Sequence, residues 1–147
     1  PIQIIERTGE LCDIRNELLE KSKGDWIWIV DGDEVWPDEE LEKLKLLFGQ
    51  YPNIKAFGFT FKQMMPFGEA EHKSKTIRLV KNTENLRWEG LFPLEILVDD
   101  FGKITTTNNP RQDIKFIPNI KFIHYSGIKK NQWREKQPDK YSRIKQS

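Results

Sequence analysis

Gly24-Asp25-Trp26-Ile27-Trp28-Ile29-Val30-Asp31-Gly32-Asp33-Glu34 is the stretch on which the reading of the fold turns. Trp26 to Val30 is a continuous apolar run rich in β-formers, which predicts a strand buried on both faces. It stops abruptly at two aspartates. Open α/β sheets carry their ligand sites at the carboxyl ends of strands, so this carboxylate pair is the strongest chemical signal in the chain. An extended backbone through Gly32 would point Asp31 and Asp33 to the same side, where both can approach one hard cation and Gly32 leaves room for a ligand. Two carboxylates do not fill an octahedral Mg²⁺ or Mn²⁺ shell, leaving positions for diphosphate oxygens and water. The competing reading is structural: both aspartates satisfy N–H groups of a turn or of the helix that follows.

Upstream, Leu11, Ile14, Leu18 and Leu19 form one helical stripe, with Thr8 placed to cap its start and Gly24 its end. Ile2, Ile4 and Ile5 suffice only for a short strand. Downstream, Pro37 suits a first helical turn, Asp38, Glu39 and Glu40 suit its positive end, and Leu41, Leu44, Leu47 and Phe48 supply the buried stripe up to Gly49. Phe57, Phe59 and Phe61 alternate as in a strand, and a further strand is expected over Thr76 to Val80. Trp88 to Val98 reads as a loop leading into a short helix or strand. Asn108-Asn109-Pro110 marks a turn, Ile120 to His124 another strand, and the tail from Lys129 is polar and partly helical.

The 147 residues fit one domain, and 37% hydrophobic with 12% aromatic residues can build its core. The 24 basic and 23 acidic side chains nearly cancel, so no overall field draws the molecule to nucleic acid. The lone Cys12 excludes an internal disulfide and suits a reducing compartment as a small buried hydrophobe. No apolar stretch approaches the roughly 20 residues of a membrane span, and the expected location is cytoplasmic, with peripheral membrane contact open to the basic tail. An opening at Pro1 in place of methionine suggests a fragment or a processed product.

Arg15-Asn16-Glu17-Leu18-Leu19, then Gly24-Asp25-Trp26, the apolar run and Asp31-Gly32-Asp33-Glu34 together resemble glycosyltransferase family 2. So do Ile77-Arg78-Leu79-Val80, Trp88-Glu89-Gly90 and Pro93-Leu94-Glu95, similar to a strand and an acceptor-facing loop. The resemblance implies an α/β, partial GT-A (Rossmann-like) domain with a mixed sheet flanked by helices, the N-terminal nucleotide-binding strands missing. Residues 1–147 would then be the C-terminal portion of a catalytic domain, with 129–147 a basic, movable tail. It further implies a metal-dependent, inverting transfer from a nucleotide-sugar donor to a carbohydrate or lipid-linked acceptor. Asp31 and Asp33 would hold Mn²⁺ or Mg²⁺ and diphosphate, and Arg15 would join them in donor binding. The exposed sheet edge would be covered by self-association or by the missing N-terminal segment, and the full-length protein would perform the transfer.

Inverting transfer needs a base for the acceptor hydroxyl, and the resemblance assigns it to Glu95. Relatives often carry a His-Glu pair there, whereas this chain has Leu94 before Glu95. Glu89 and the Asp99-Asp100 pair compete for the role. His124 looks like the family's late histidine and is a candidate ligand, better suited to Mn²⁺ than Mg²⁺, with a hydrogen-bonded structural role as the alternative. His72 reads as solvated and Trp26 and Trp28 as core. Trp36 and Trp88 are placed either to pack or to stack on sugar or base. The tail lysines and arginines would close over a diphosphate, meet anionic headgroups or form a solvated face. Two other functions fit the same residues. Asp31-Gly32-Asp33-Glu34-Val35 also resembles the opening of haloacid dehalogenase-like phosphatases, with Asp31 as nucleophile. A non-catalytic carbohydrate- or protein-binding remnant is the third reading.

Overall fold

The computed structural model of the chain describes residues 10–91, 94–106 and 109–125. The expectations for Ile2, Ile4, Ile5, Thr8, Pro93, Asn108 and the basic tail lie outside them. Two helices, α1 (Leu11–Lys21) and α2 (Asp38–Gln50), accompany eight strands among the described residues. These are β1 (Trp26–Trp28), β2 (Glu34–Val35), β3 (Ala56–Met65), β4 (Gly68–Lys81), β5 (Arg87–Glu89), β6 (Ile96–Asp99), β7 (Gly102–Lys103) and β8 (Ile114–His124). One sheet has the order β1-β4-β3-β8-β2, a second the order β5-β6-β7. β1 pairs antiparallel with β4 and β2 with β8, while β3 and β8 run the same way, from the Lys55–Asp113 bond toward Gln63 and His124. The α/β class and the mixed sheet are as expected.

Several local readings change. Helix α1 ends at Ser22 and not at Gly24, because Ser22 closes the last turn itself: its N–H donates to the Leu19 carbonyl at 3.1 Å and its hydroxyl to the Leu18 carbonyl at 2.8 Å. Helix α2 starts beyond Pro37 but runs through Gly49 to Gln50, burying Leu44 and Leu47 while Phe48 stays 39% exposed. The apolar run Trp26 to Val30 is not a doubly buried strand. Only Trp26–Trp28 forms β1, at one end of the sheet order, and Trp28 and Val30 are exposed. Among the described residues β1 pairs with β4, and the exposure of Trp28 and Val30 shows that continuous hydrophobicity here does not mean burial on both faces. The segment expected to be a loop with one short element forms a second antiparallel sheet instead, with Trp88 opposite Leu97 and Val98 opposite Lys103.

The described chain divides into two compact units. The first takes residues up to Ile29, Asn53–Gly58 and Thr76–Phe116. Its core joins Ala56, Ile77, Val80, Trp88, Leu97, Ile104 and Ile114, with Cys12, Leu19, Ile29 and Phe116 packed against them. A fully buried leucine or phenylalanine contributes roughly 2 kcal/mol through removal of apolar area from water. Gly58 on β3 lies against the Phe116 ring so closely that a Cβ there would collide with it. The second unit takes Val30–Pro52, Phe59–Lys75 and residues from Ile117 onward. Its core is aromatic: Trp36 stacks on Phe122 at 4.9 Å and meets Phe59 edge-on at 5.5 Å, and Phe61 stacks on Phe122 at 5.3 Å. Trp36 is therefore a packing residue.

Candidate functional site

In the second unit, Asp31 does not continue a strand. Its carbonyl accepts the Glu34 N–H at 3.0 Å, closing a turn with Gly32 and Asp33 at its centre. Aspartate and glycine favour turns over extended backbone. The expected extended arrangement of Asp31 and Asp33 is thus replaced by a turn. A Cβ built on Gly32 meets nothing within 4 Å, so the turn presents an open face.

The turn leads into β2, where Glu34 lies opposite His124 of β8, and the Tyr125 N–H donates to the Asp33 carbonyl at 2.8 Å. This register sets the Asp33 Oδ1 3.4 Å from the His124 Nε2, with both side chains about a fifth exposed, 20% and 22%. The other ring nitrogen, Nδ1, is 3.2 Å from the Gln63 Oε1. Phe61 meets the His124 ring edge-on at 5.2 Å and stacks on His72 at 4.4 Å, so His72 is held against an aromatic ring and is not simply solvated. The structure therefore brings Asp33 and His124 together. The Asp31 carbonyl closes the turn that carries Asp33, and among the described residues no three or more His, Cys, Asp or Glu side chains gather as a metal-binding group.

In the first unit, one face of α1 grips the strand that leads to Glu95. Cys12, Arg15 and Asn16 share that face by their i, i+3 and i+4 spacing. Asn16 Nδ2 donates to the Trp88 carbonyl at 3.0 Å while its Oδ1 accepts the Trp88 N–H at 2.7 Å, so the side chain acts as a one-residue strand partner for β5. The Arg15 guanidinium lies 4.3 Å from the centre of the Trp88 ring, and the Cys12 thiol donates to the Gly90 carbonyl at 3.0 Å. Trp88 is buried beneath that cation and packs as a core residue. Burial first, then the negative charge of Glu95, pushes the Cys12 thiol above its ordinary range against the pull of Arg15. The thiol form follows, in keeping with a structural Cys12.

Gly90 has φ +100°, and a Cβ there would stand 3.0 Å from the Leu94 carbonyl, while the Leu94 N–H donates to the Leu91 carbonyl at 2.7 Å. Only glycine accepts both the backbone angle and the close approach. The loop so closed delivers Glu95 to the start of β6. Glu95 Oε1 is buried with no hydrogen-bond partner among the described residues. Its rivals are engaged: Glu89 pairs with Arg87 at 2.7 Å, Asp100 accepts from Asn85 at 3.0 Å, and Asp99 is held by Arg111 at 2.8 and 2.9 Å.

Sequence reasoning missed the roles of Asn16 and Gln63. Asn16 could have been found as the amide sharing a helix face with Cys12 and Arg15. Gln63 falls on the strand face of Phe59 and Phe61 by the period of two, a polar residue where an inward-facing apolar one is due.

The model of the family described as glycosyl transferase family 2 matches residues 1–106. That span contains Arg15, Asn16, Asp31, Asp33, Gln63 and Glu95 and ends before β8 and His124. No curated protein matches the chain.

Proposed function

The chain belongs to glycosyl transferase family 2, and from that premise we propose that it serves a metal-dependent, inverting transfer of a sugar from a nucleotide diphosphate donor to an acceptor hydroxyl. The observation that carries this reading is the Asp33–His124 pair at 3.4 Å beside the open face of Gly32. A carboxylate oxygen and an imidazole nitrogen, both partly exposed, suit Mn²⁺ better than Mg²⁺, and two protein donors leave positions for diphosphate oxygens and water. The residues present therefore fit the ion, with Asp33 and His124 as ligands on the Asp31–Glu34 turn and β8, and Asp31 as the further ligand that the family resemblance implies. When bound, the ion supplies stabilisation of charge on the departing nucleotide diphosphate.

Glu95 is the proposed base. The acceptor oxygen forms its bond to the anomeric carbon, the bond to the diphosphate oxygen breaks and takes its electron pair with the leaving group, and the hydroxyl proton passes to Glu95. A buried carboxylate oxygen without a hydrogen-bond partner among the described residues supports this role, since such an atom is costly unless it gains one. Arg15 is proposed to keep the Trp88–Glu95 segment in place, and a direct donor contact remains the reading the family resemblance implies. A carbohydrate or lipid-linked acceptor on the cytoplasmic side of a membrane is the proposed partner. Family membership sets the phosphatase reading aside.

Calorimetry with Mn²⁺ and a panel of nucleoside diphosphates, on wild type and Asp33→Ala, tests the proposal. Wild type should bind a nucleoside diphosphate in a Mn²⁺-dependent manner and Asp33→Ala should not. Equal binding by both proteins, or binding undiminished by a chelator, would overturn it.

A further inference from the structure

Gln63 stands on the same strand face as Phe59 and Phe61, both buried, and its side chain is half-buried at the end of that aromatic row. The atom it turns to His124 is Oε1, 3.2 Å from Nδ1. An amide oxygen can only accept, so this contact is satisfied when the nitrogen facing it carries the hydrogen. In a neutral imidazole the second nitrogen, Nε2, then holds a lone pair, and Nε2 is the atom 3.4 Å from the Asp33 Oδ1. A lone pair and a carboxylate oxygen face to face repel one another. A cation set between them converts both into ligands, which is the order found where a ligating histidine donates its other N–H to a neighbouring acceptor.

We propose that Gln63 is a positioning residue that fixes the neutral Nδ1–H tautomer and ring plane of His124, so that Nε2 is presented beside Asp33 as a nitrogen donor to a divalent cation. The proposal rests on the reading of Asp33 and His124 as a cation site, and deepens it. Two backbone features, the Glu34–His124 pairing and the Tyr125 N–H bond to Asp33, fix where the two residues start, and the Phe61 edge limits ring tilt. None of these distinguishes one ring nitrogen from the other. Gln63 does.

The experiment has two arms on the full chain. Long-range ¹H–¹⁵N correlation of ¹⁵N-histidine protein at about pH 8.5, where imidazole is neutral, reads the tautomer directly; the chain has 2 histidines, so His124→Ala assigns the signals. The expected result is the Nδ1–H form for His124 in wild type saturated with Zn²⁺, a diamagnetic cation probe. Mn²⁺ titration followed by calorimetry should then show Gln63→Leu weakened about 10–100-fold. Gln63→Glu, which still offers an acceptor to Nδ1–H, should stay close to wild type. An Nε2–H tautomer in the Zn²⁺-loaded wild type overturns the proposal without any variant having to fold. Mn²⁺ affinity in Gln63→Leu equal to wild type overturns it while leaving the cation site standing. A wild-type chain that binds neither Mn²⁺ nor Zn²⁺ overturns the cation site, and the proposal with it.

Discussion

The two ends of β6 carry acidic residues with opposite fates. At its exit, the Asp99 side chain is 6% exposed and Arg111 bonds each of its oxygens, at 2.8 and 2.9 Å, while the Phe101 N–H adds a third bond at 2.9 Å. Asp113 accepts two further bonds from the same guanidinium, at 2.9 and 2.8 Å. Hydrogen bonds that Arg111 donates to Asp113 and then to Asp99 hold it protonated far above its ordinary range. Burial alone would raise Asp99, but the Arg111 and Phe101 bonds outweigh it and keep the carboxyl below its usual range. At the entry, Glu95 has a buried oxygen with no such partner among the described residues. The difference separates an acid whose lone pairs a cation satisfies, which is structural, from one with a buried oxygen left open, the residue proposed above as the base.

The strongest way to break this comparison is to neutralise each acid. Glu95→Gln should lower sugar transfer about 10²–10⁴-fold with the urea midpoint unchanged. A comparable loss in Asp99→Asn, with folding intact by circular dichroism, would erase the distinction. Next in size, Arg111→Met strands Asp99 in a site built for a cation, and should cost about 3–5 kcal/mol of unfolding free energy, read by urea denaturation at neutral pH. An unchanged midpoint would mean that the ionic cluster adds nothing to the fold.

Acid sharpens the same contrast. The folded values of Asp99 and Asp113 are both depressed, Asp113 chiefly through its Arg111 hydrogen bond. Their contribution is complete above the unfolded carboxylate value of about 4 and is lost as pH falls through the lower folded values. Wild type should therefore lose stability in urea titrations between about pH 4 and pH 2, and Arg111→Met should lose less over that window. The smallest expected effect is at the other flank of Glu95. Asn16→Ala removes both bonds to the Trp88 backbone, and about 1–3 kcal/mol of stability should go with them. Faster amide exchange at Trp88 would place that loss at β5.

Long, patterned elements were legible from the sequence, as were the α/β class and the family. Helix α2 was readable because Pro37, three acids and the leucine stripe agree, and β3 because Phe57, Phe59 and Phe61 repeat every second residue. The second sheet was not, since β5 and β7 span 3 and 2 residues, too few to show any period. The run at Trp26 misled because hydrophobicity cannot tell a strand with neighbours on both sides from one at the end of a sheet. At the candidate site, Asp33 stood out by residue type and place after an apolar run, and His124 and Glu95 through the family resemblance. Their supports were hidden, because Gln63 and His124 are 61 residues apart and Asn16 and Trp88 are 72 apart. Such contacts depend on tertiary pairing, and Asp31 and Asp33 were assigned to an extended geometry that the local turn preference of Asp-Gly overrides.

Gly58 and Phe116 form a lock of unequal parts, a full ring on one strand seated where its neighbour has no side chain at all. Neither position can change alone without cost, because an added methyl meets the ring and a trimmed ring leaves a void. Related chains should therefore trade bulk between these two sites in opposite directions, a paired drift that a collection of homologues would expose as correlated substitution.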